Sequence, residues 1–257
     1  MTPVTLITGA ADGIGWAMAR RFAAGGHRIA IVDIDHDRAI ERAGELEDLS
    51  PGGHMAVTAD MAREEDVTAM VATVAERYGR IDALINNAGI GDSLLPTLEQ
   101  TVGTFERILH IHLTGTFLAS REAVRVMMGH GGGAIVNIGS IAGLVGLPRR
   151  NAYGAAKAGI LSMTRSMACE WAGAGIRVNA VAPGYVGTDL VRRLEQTGKI
   201  DMARLKRRIP LGRVADPMDI AEAAWFLASP QAGYITGTTL TVDGGWQAFG
   251  DAGDAAG

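Results

Sequence analysis

Tyr153 and Lys157, in Tyr153-Gly154-Ala155-Ala156-Lys157, are the residues of this chain best spaced to move a proton. At i and i+4 their side chains project from the same face of a helix. A free phenol titrates near ~10, and a cation within ~4–6 Å lowers that by roughly 1–3 units. The pair is therefore expected to exchange a proton near neutral pH. The lysines are Lys157, Lys199 and Lys206, so chance supplies only roughly 0.05 matches to this spacing. Ser140 lies upstream, at the end of a β-branched run.

A second cluster lies near the start of the chain, in Thr8-Gly9-Ala10-Ala11-Asp12-Gly13-Ile14-Gly15. It follows a β-branched run and precedes an amphipathic one. Glycines between a strand and a helix permit a tight turn and let backbone N–H groups approach a pyrophosphate at the helix N-terminus. In a chain with 35 glycines, position gives the G-x-x-x-G-x-G spacing its meaning. The next β-branched run ends in Asp33. A carboxylate there can accept hydrogen bonds from ribose hydroxyls and would repel a 2′-phosphate, and Asp12 and Asp35 add to that repulsion. The expected cofactor is NAD rather than NADP.

These clusters need a scaffold, and the periodicity supplies one. Short β-branched runs at 4–8, 28–33, 54–58, 81–86, 134–138, 177–181 and 239–242 read as strands. Helices are expected over 13–24, 35–49, 64–78, 101–128, 152–172 and 217–228, with Gly25-Gly26 and Gly173 as stops. The alternation implies an α/β fold, a single doubly wound Rossmann-type domain around a mostly parallel seven-stranded sheet. No linker divides 1–249, and the small, polar 250–257 reads as a mobile tail. The 257 residues, 47% hydrophobic with net charge −4, suit one globular domain.

Composition also narrows function. The mild acidity leaves no footprint for nucleic acid. No apolar run reaches the ~18–20 residues of a membrane span, and no charged-then-apolar leader precedes the first strand. Cysteine and histidines form no cluster with metal-ligand spacing, so no metal is expected. A lone cysteine, Cys169, excludes an internal disulfide and suits a reducing, cytoplasmic setting. Inside a helical run it is expected to be a small buried residue.

Together these features resemble the short-chain dehydrogenase/reductase family, in its short single-domain branch, over 8–245. The resemblance includes Asn86-Asn87-Ala88-Gly89, Ile138-Gly139-Ser140, Arg177-Val178-Asn179, Pro183-Gly184 and Val242-Asp243-Gly244-Gly245. It implies that Ser140 donates a hydrogen bond to the substrate oxygen, and that Tyr153 is general acid in reduction and general base in oxidation. Lys157 would lower the tyrosine pKa and hold the nicotinamide ribose. Cofactor contacts would come from Gly9, Asp12, Gly13, Ile14, Gly15, Asp33, Asp60 and Met61. Asn87 and Gly89 would brace the sheet beside the cofactor, and Pro183, Gly184, Val186 and Thr188 would fix the carboxamide. Thr188 could equally cap a following helix. Relatives are commonly homotetramers that pair the long helices, here 101–128 and 152–172, and the last strand region.

The chain departs from the family pattern at His112, where asparagine is usual and supports a water relay behind the lysine. A histidine can both donate and accept and titrates near neutral pH. Either His112 replaces the relay member, or it is a structural helix residue.

The expected pocket is lined by Ile141, Ala142, Leu144 and Val145, by 91–95, and by Tyr185. A lid over 189–209 carries Arg192, Arg193, Lys199, Arg204, Lys206, Arg207 and Arg208 against Asp189, Glu195 and Asp201. That charge reads either as a site for an anionic substrate or as a solvated helix, and Arg149 and Arg150 leave the same choice. The expected activity is NAD-dependent interconversion of a secondary alcohol and a ketone, the alcohol a polyol, sugar or hydroxy acid. A 3-oxoacyl thioester reductase and a non-catalytic NAD-sensing regulator are the alternatives.

Overall fold

In the computed structural model, described for residues 1–188, 191, 195, 201–251 and 253–255, the apolar runs become strands buried on both faces. Strand β1 (Val4–Thr8) is buried at all five positions, and β4 (Ala83–Asn86) at all four. Such strands demand cover on both sides. The others are β2 (Arg28–Asp33), β3 (Met55–Thr58), β5 (Gly133–Ile138), β6 (Ile176–Pro183) and β7 (Thr239–Val242). They form one sheet in the order β3-β2-β1-β4-β5-β6-β7, and every pairing is parallel.

Alternate strand residues serve opposite faces, as period-2 side chains must. Leu6, Val32, Leu84, Ile135 and Val178 pack with helices α3 (Glu64–Tyr78), α5 (Gly115–Met128) and α6 (Asn151–Trp171). Ile7, Ile31, Ile85, Val136 and Val181 pack with α1 (Gly13–Ala24), α2 (His36–Leu49) and a late helix, Pro217–Ala228. The order reverses direction between β1 and β4, which opens a crevice at the carboxyl ends of the strands.

The structure redraws several expectations. The expected seven-stranded sheet is present, and among the described residues all its pairings are parallel. The helix expected over 101–128 is two helices, α4 (Val102–Leu109) and α5, joined by a π-helical turn at His110–Thr114. Its extra residue resets the phase of the helix at His112, as π-turns do. Asp35 is the N-cap of α2, accepting from the Arg38 amide at 3.1 Å, rather than its first residue. Helix α6 ends at Trp171 and tightens into a 3-10 turn at Ala172–Ala174, which stops not at Gly173 but at Gly175, whose φ of +74° glycine tolerates. Cys169 is exposed, not buried. The buried stripe of α6 runs through Ile160, Leu161, Thr164, Met167 and Ala168, and position 169 falls beside it.

Of the lid region, positions 189, 190, 192–194 and 196–200, including Asp189, Arg192, Arg193 and Lys199, lie outside the described residues. Described within it is helix α7 (Met202–Arg208), capped by Asp201; the late helix Pro217–Ala228 is α8. Of the tail, 252, 256 and 257 lie outside the described residues. The remainder returns to α7, with the Ala255 amide donating to Arg207 O at 2.7 Å and Asp254 3.4 Å from Arg207.

Candidate active site

The first turn is held by backbone sterics. A Cβ on Gly15 would lie 2.0 Å from Gly9 O, and one on Gly9, where φ is +62°, would lie 2.8 Å from Ala88 Cα. Asp12 caps α1, its carboxylate accepting from the Gly13 amide at 2.7 Å. Asn87 sends its side-chain amide to Thr8 O at 3.0 Å and Gly9 O at 2.9 Å, which ties the end of β4 to the turn. Across the turn, Thr188 Cγ2 stands 3.4 Å from where a Gly13 Cβ would be. A side chain at 13 would fill that gap, so the residues present fit a dinucleotide laid along the turn and the α1 N-terminus. The Asp33 carboxylate is fixed at the crevice edge by the Ala11 amide at 3.1 Å and the Asp35 amide at 3.2 Å.

Other expected contacts are distributed unevenly around this turn. Asp60 closes its carboxylate onto the Ala62 amide at 2.9 Å. The side chains of Met61 and Val186 enter the core instead of facing the crevice. Pro183 ends β6, and Gly184 permits a close approach to Asp243, whose Cβ lies 2.7 Å from a Gly184 Cβ position. Thr188 Oγ1 also accepts from the Val191 amide at 3.4 Å, so its capping role and its place beside Gly13 coexist.

The proton-transfer candidates converge at the carboxyl end of β5. The Tyr153 amide donates to the Asp92 carboxylate at 3.2 Å, which anchors the first turn of α6. Ser140 is buried and close enough to the phenol to favour its ionised form, while its Oγ accepts from the Ala142 amide at 3.1 Å. One turn on from Tyr153, Lys157 is 3% exposed and donates to Ile138 O at 2.7 Å. Its Nζ stands 5.5 Å from the Tyr153 ring centroid. His112, 2% exposed, meets the same ring edge-on at 5.3 Å between centroids.

Burial dominates the electrostatics. Desolvation pushes the Tyr153 phenol above its ordinary range, against the opposing pull of the Ser140 hydrogen bond and the Arg150 charge. The lowered phenol expected from the lysine is therefore not a property of this geometry. Instead, Lys157 is itself depressed to about 7, because no anion repays its desolvation. His112 is driven down to about 3, first by burial and then by the Lys157 charge. It does not titrate near neutral pH as expected. It is a neutral imidazole, with Nε2 3.0 Å from Ile90 N and 2.9 Å from Ile90 O. One tautomer accepts from the amide and the other donates to the carbonyl. Nδ1 is buried without a partner.

Two features, at Asn137 and Trp246, lay outside the sequence reading. Asn137, on β5, receives Asn86 Nδ2 at 2.8 Å and donates to Thr164 Oγ1 at 2.9 Å, linking β4, β5 and α6 beneath the site. Polar residues inside otherwise apolar strands were its available signal. Trp246, after β7, packs edge-on against Tyr185 at 6.1 Å and makes the pocket wall a pair. Arg150 places its guanidinium 5.7 Å from the Tyr153 ring centroid. Of the expected lining, Ile141 and Ala142 are buried and Leu144 is exposed. Among the described residues no group of His, Cys, Asp or Glu could hold a metal ion, and no helix is long and apolar enough to cross a membrane.

Comparison with known proteins gives this geometry its relatives. A family model described as enoyl-(acyl carrier protein) reductase matches residues 9–247. An uncharacterized short-chain type dehydrogenase/reductase of Sinorhizobium fredii is 46% identical over 98% of this chain, which spans only 45% of that relative's length. The cis-4-hydroxycyclohexanecarboxylate dehydrogenase of Sinomonas cyclohexanicum is 43% identical, over 95% of this chain and 96% of its own. The crystal structure of levodione reductase superposes with a TM-score of 0.91 at 33% identity, covering 96% of this chain and 98% of that one.

Proposed function

Since the chain belongs to the short-chain dehydrogenase/reductase family and is an oxidoreductase of it, we propose that it interconverts a secondary alcohol and a ketone with NAD. The observation that carries this reading is the convergence of Ser140, Tyr153 and Lys157 beside the glycine turn. In oxidation the phenolate of Tyr153 takes the proton of the substrate hydroxyl, and in reduction the phenol returns it. Ser140 donates to the same substrate oxygen and offsets its developing charge. Lys157 stands near the phenol, where its protonated form steadies the phenolate, and His112 walls the tyrosine as a neutral spacer.

A bound nicotinamide supplies the hydride acceptor or donor. Gly9, Gly13, Ile14 and Gly15 at the first turn would hold it, with Asp33, Asp60, Asn87 and Gly89, with Pro183, Gly184 and Thr188 opposite, and with Met61 and Val186 through their main chain alone. Asp33 favours NAD, since a carboxylate at this position accepts from ribose hydroxyls and repels a 2′-phosphate. The substrate class is a polyol, sugar or hydroxy acid, and the Sinomonas relative carries a hydroxy acid in its name. The matched family description supports a second reading, reduction of an acyl-carrier thioester. A homotetramer would cover the apolar strip between α5 and α6 at Leu113, Phe117, Gly159 and Met163.

The test is absorbance at the reduced-nicotinamide band over a panel of alcohols and ketones, with NAD and NADP in parallel. Turnover of alcohols with NAD, lost by about 10²–10⁴-fold in Tyr153→Phe, is the expected result. Full activity in that variant would remove the mechanism. Binding of NAD without turnover of any compound would leave a sensor.

A further inference from the structure

Arg150 is a half-buried cation with no anion paired to it among the described residues. Among the described residues its guanidinium pairs with no carboxylate and makes no hydrogen bond, and its side-chain contact is the Tyr153 ring at 5.7 Å. The nearby carboxylate of Asp92 is taken by the Tyr153 and Ser93 amides. A guanidinium carries five donors and no acceptor, and no described residue takes up those of Arg150. The backbone holds it there all the same. Arg149 sits at φ +67°, in the left-handed region that a non-glycine residue rarely adopts. Gln100 buttresses this turn, with Nε2 3.4 Å from Arg149 O, and Asn151 is tied to Thr97 at 2.8 Å and Gln100 at 3.1 Å. Both neighbours of Arg150 are thus fixed while its own side chain is left unpartnered.

Arg150 is a donor-only group beside the reacting phenol, and the ligand end that satisfies it is rich in acceptors and negative.

We propose that the substrate alcohol carries an oxyanion, of carboxylate or sulfonate type, which Arg150 binds while the carbinol carbon lies at Tyr153. This rests on the alcohol–ketone reading above and selects the acid-bearing members of its substrate class. Arg150 is thereby a specificity-determining residue.

The test pairs straight-chain secondary hydroxy acids, with the hydroxyl at successive positions, each against its own neutral amide. At least one acid is expected to exceed its amide by about tenfold or more in kcat/KM, the gain lying mainly in KM. Arg150→Met should collapse that ratio toward one, and Arg150→Lys should keep part of it. Any effect passed through the Tyr153 proton acts on acid and amide alike and cancels in the ratio. Amides turned over as well as their acids, or a ratio that survives Arg150→Met, would overturn the proposal. Calorimetric titration of the hydroxy acids onto the NAD-saturated protein separates the two readings. If no alcohol is turned over, the function above fails, yet saturable binding that Arg150→Met abolishes still supports the anion site. Absence of such binding removes the site.

Discussion

The two sides of the crevice are built by opposite means. On the nucleotide side, β1 and α1 meet through glycines, and contact is set by where a Cβ cannot go, 2.0 Å from Gly9 O at position 15. Its polar side chains pair with the backbone: Asp12 accepts from the Gly13 amide, Asp33 accepts from the Ala11 amide, and Asn87 donates to the Thr8 carbonyl. On the catalytic side, between β5 and α6, contact is set by large buried side chains. His112, Lys157 and Tyr153 share a space that drives the first two toward their neutral forms. The first side is rigid because its donors and acceptors are matched. The second is reactive because some of its groups are not, as the unpartnered Nδ1 of His112 illustrates.

The sharpest way to break the contrast is Gly15→Ala. One methyl group directed at Gly9 O forces the turn open, at a cost of about 3 kcal/mol or roughly a hundredfold in cofactor affinity. Cofactor titration and a thermal melt read it, and near-normal NAD affinity would mean that the turn is softer than its geometry implies.

The buried side is probed by His112→Asn under acid. With a native pKa of about 3 against 6.5 when unfolded, His112 takes up protons more readily in the unfolded chain. It therefore costs no stability above pH 6.5 and costs progressively more as pH falls from 6.5 toward 3. At pH 5 the loss is about 2 kcal/mol, so His112→Asn should unfold less readily than the parent at pH 5 while their difference at pH 8 lacks this contribution. Parallel stability profiles from pH 8 to pH 5 would show that the ring is hydrated.

Asp33→Ala gives a smaller effect on the nucleotide side. Losing the carboxylate should narrow the NAD over NADP preference by roughly tenfold, about 1.4 kcal/mol, read as the ratio of kcat/KM for the two cofactors. Equal use of both by the parent protein would remove the cofactor assignment itself.

The two sides also differ in how far they can be read from sequence. Glycine identity and its place between a strand and a helix are one-dimensional facts, and Gly9, Gly13 and Gly15 stand in the turn they implied. The Tyr153–Lys157 spacing likewise predicts a shared helix face, and the two side chains share it. What spacing could not give is the dielectric around them. It implied a lowered phenol, whereas burial raises Tyr153 and lowers Lys157 to about 7. Helix periodicity ran 101–128 together because a π-turn leaves little trace in a hydrophobic pattern. Trp246 escaped because it belongs to the pocket only through a partner distant in the chain, whereas Arg150 was legible as a charge that could be either an anion site or solvated.

By itself the sequence determined the alternation of strands and helices, the glycine turn, the acidic end of β2 and the helical turn between tyrosine and lysine. All follow from local steric and periodic rules. Tertiary structure decided which of these residues lose water, and with it the protonation of His112 and Lys157. It also decided which donors, Arg150 and Trp246 Nε1 among them, are left without an acceptor. Desolvation and partnering depend on what the rest of the chain folds over a residue, and no window of sequence contains that information.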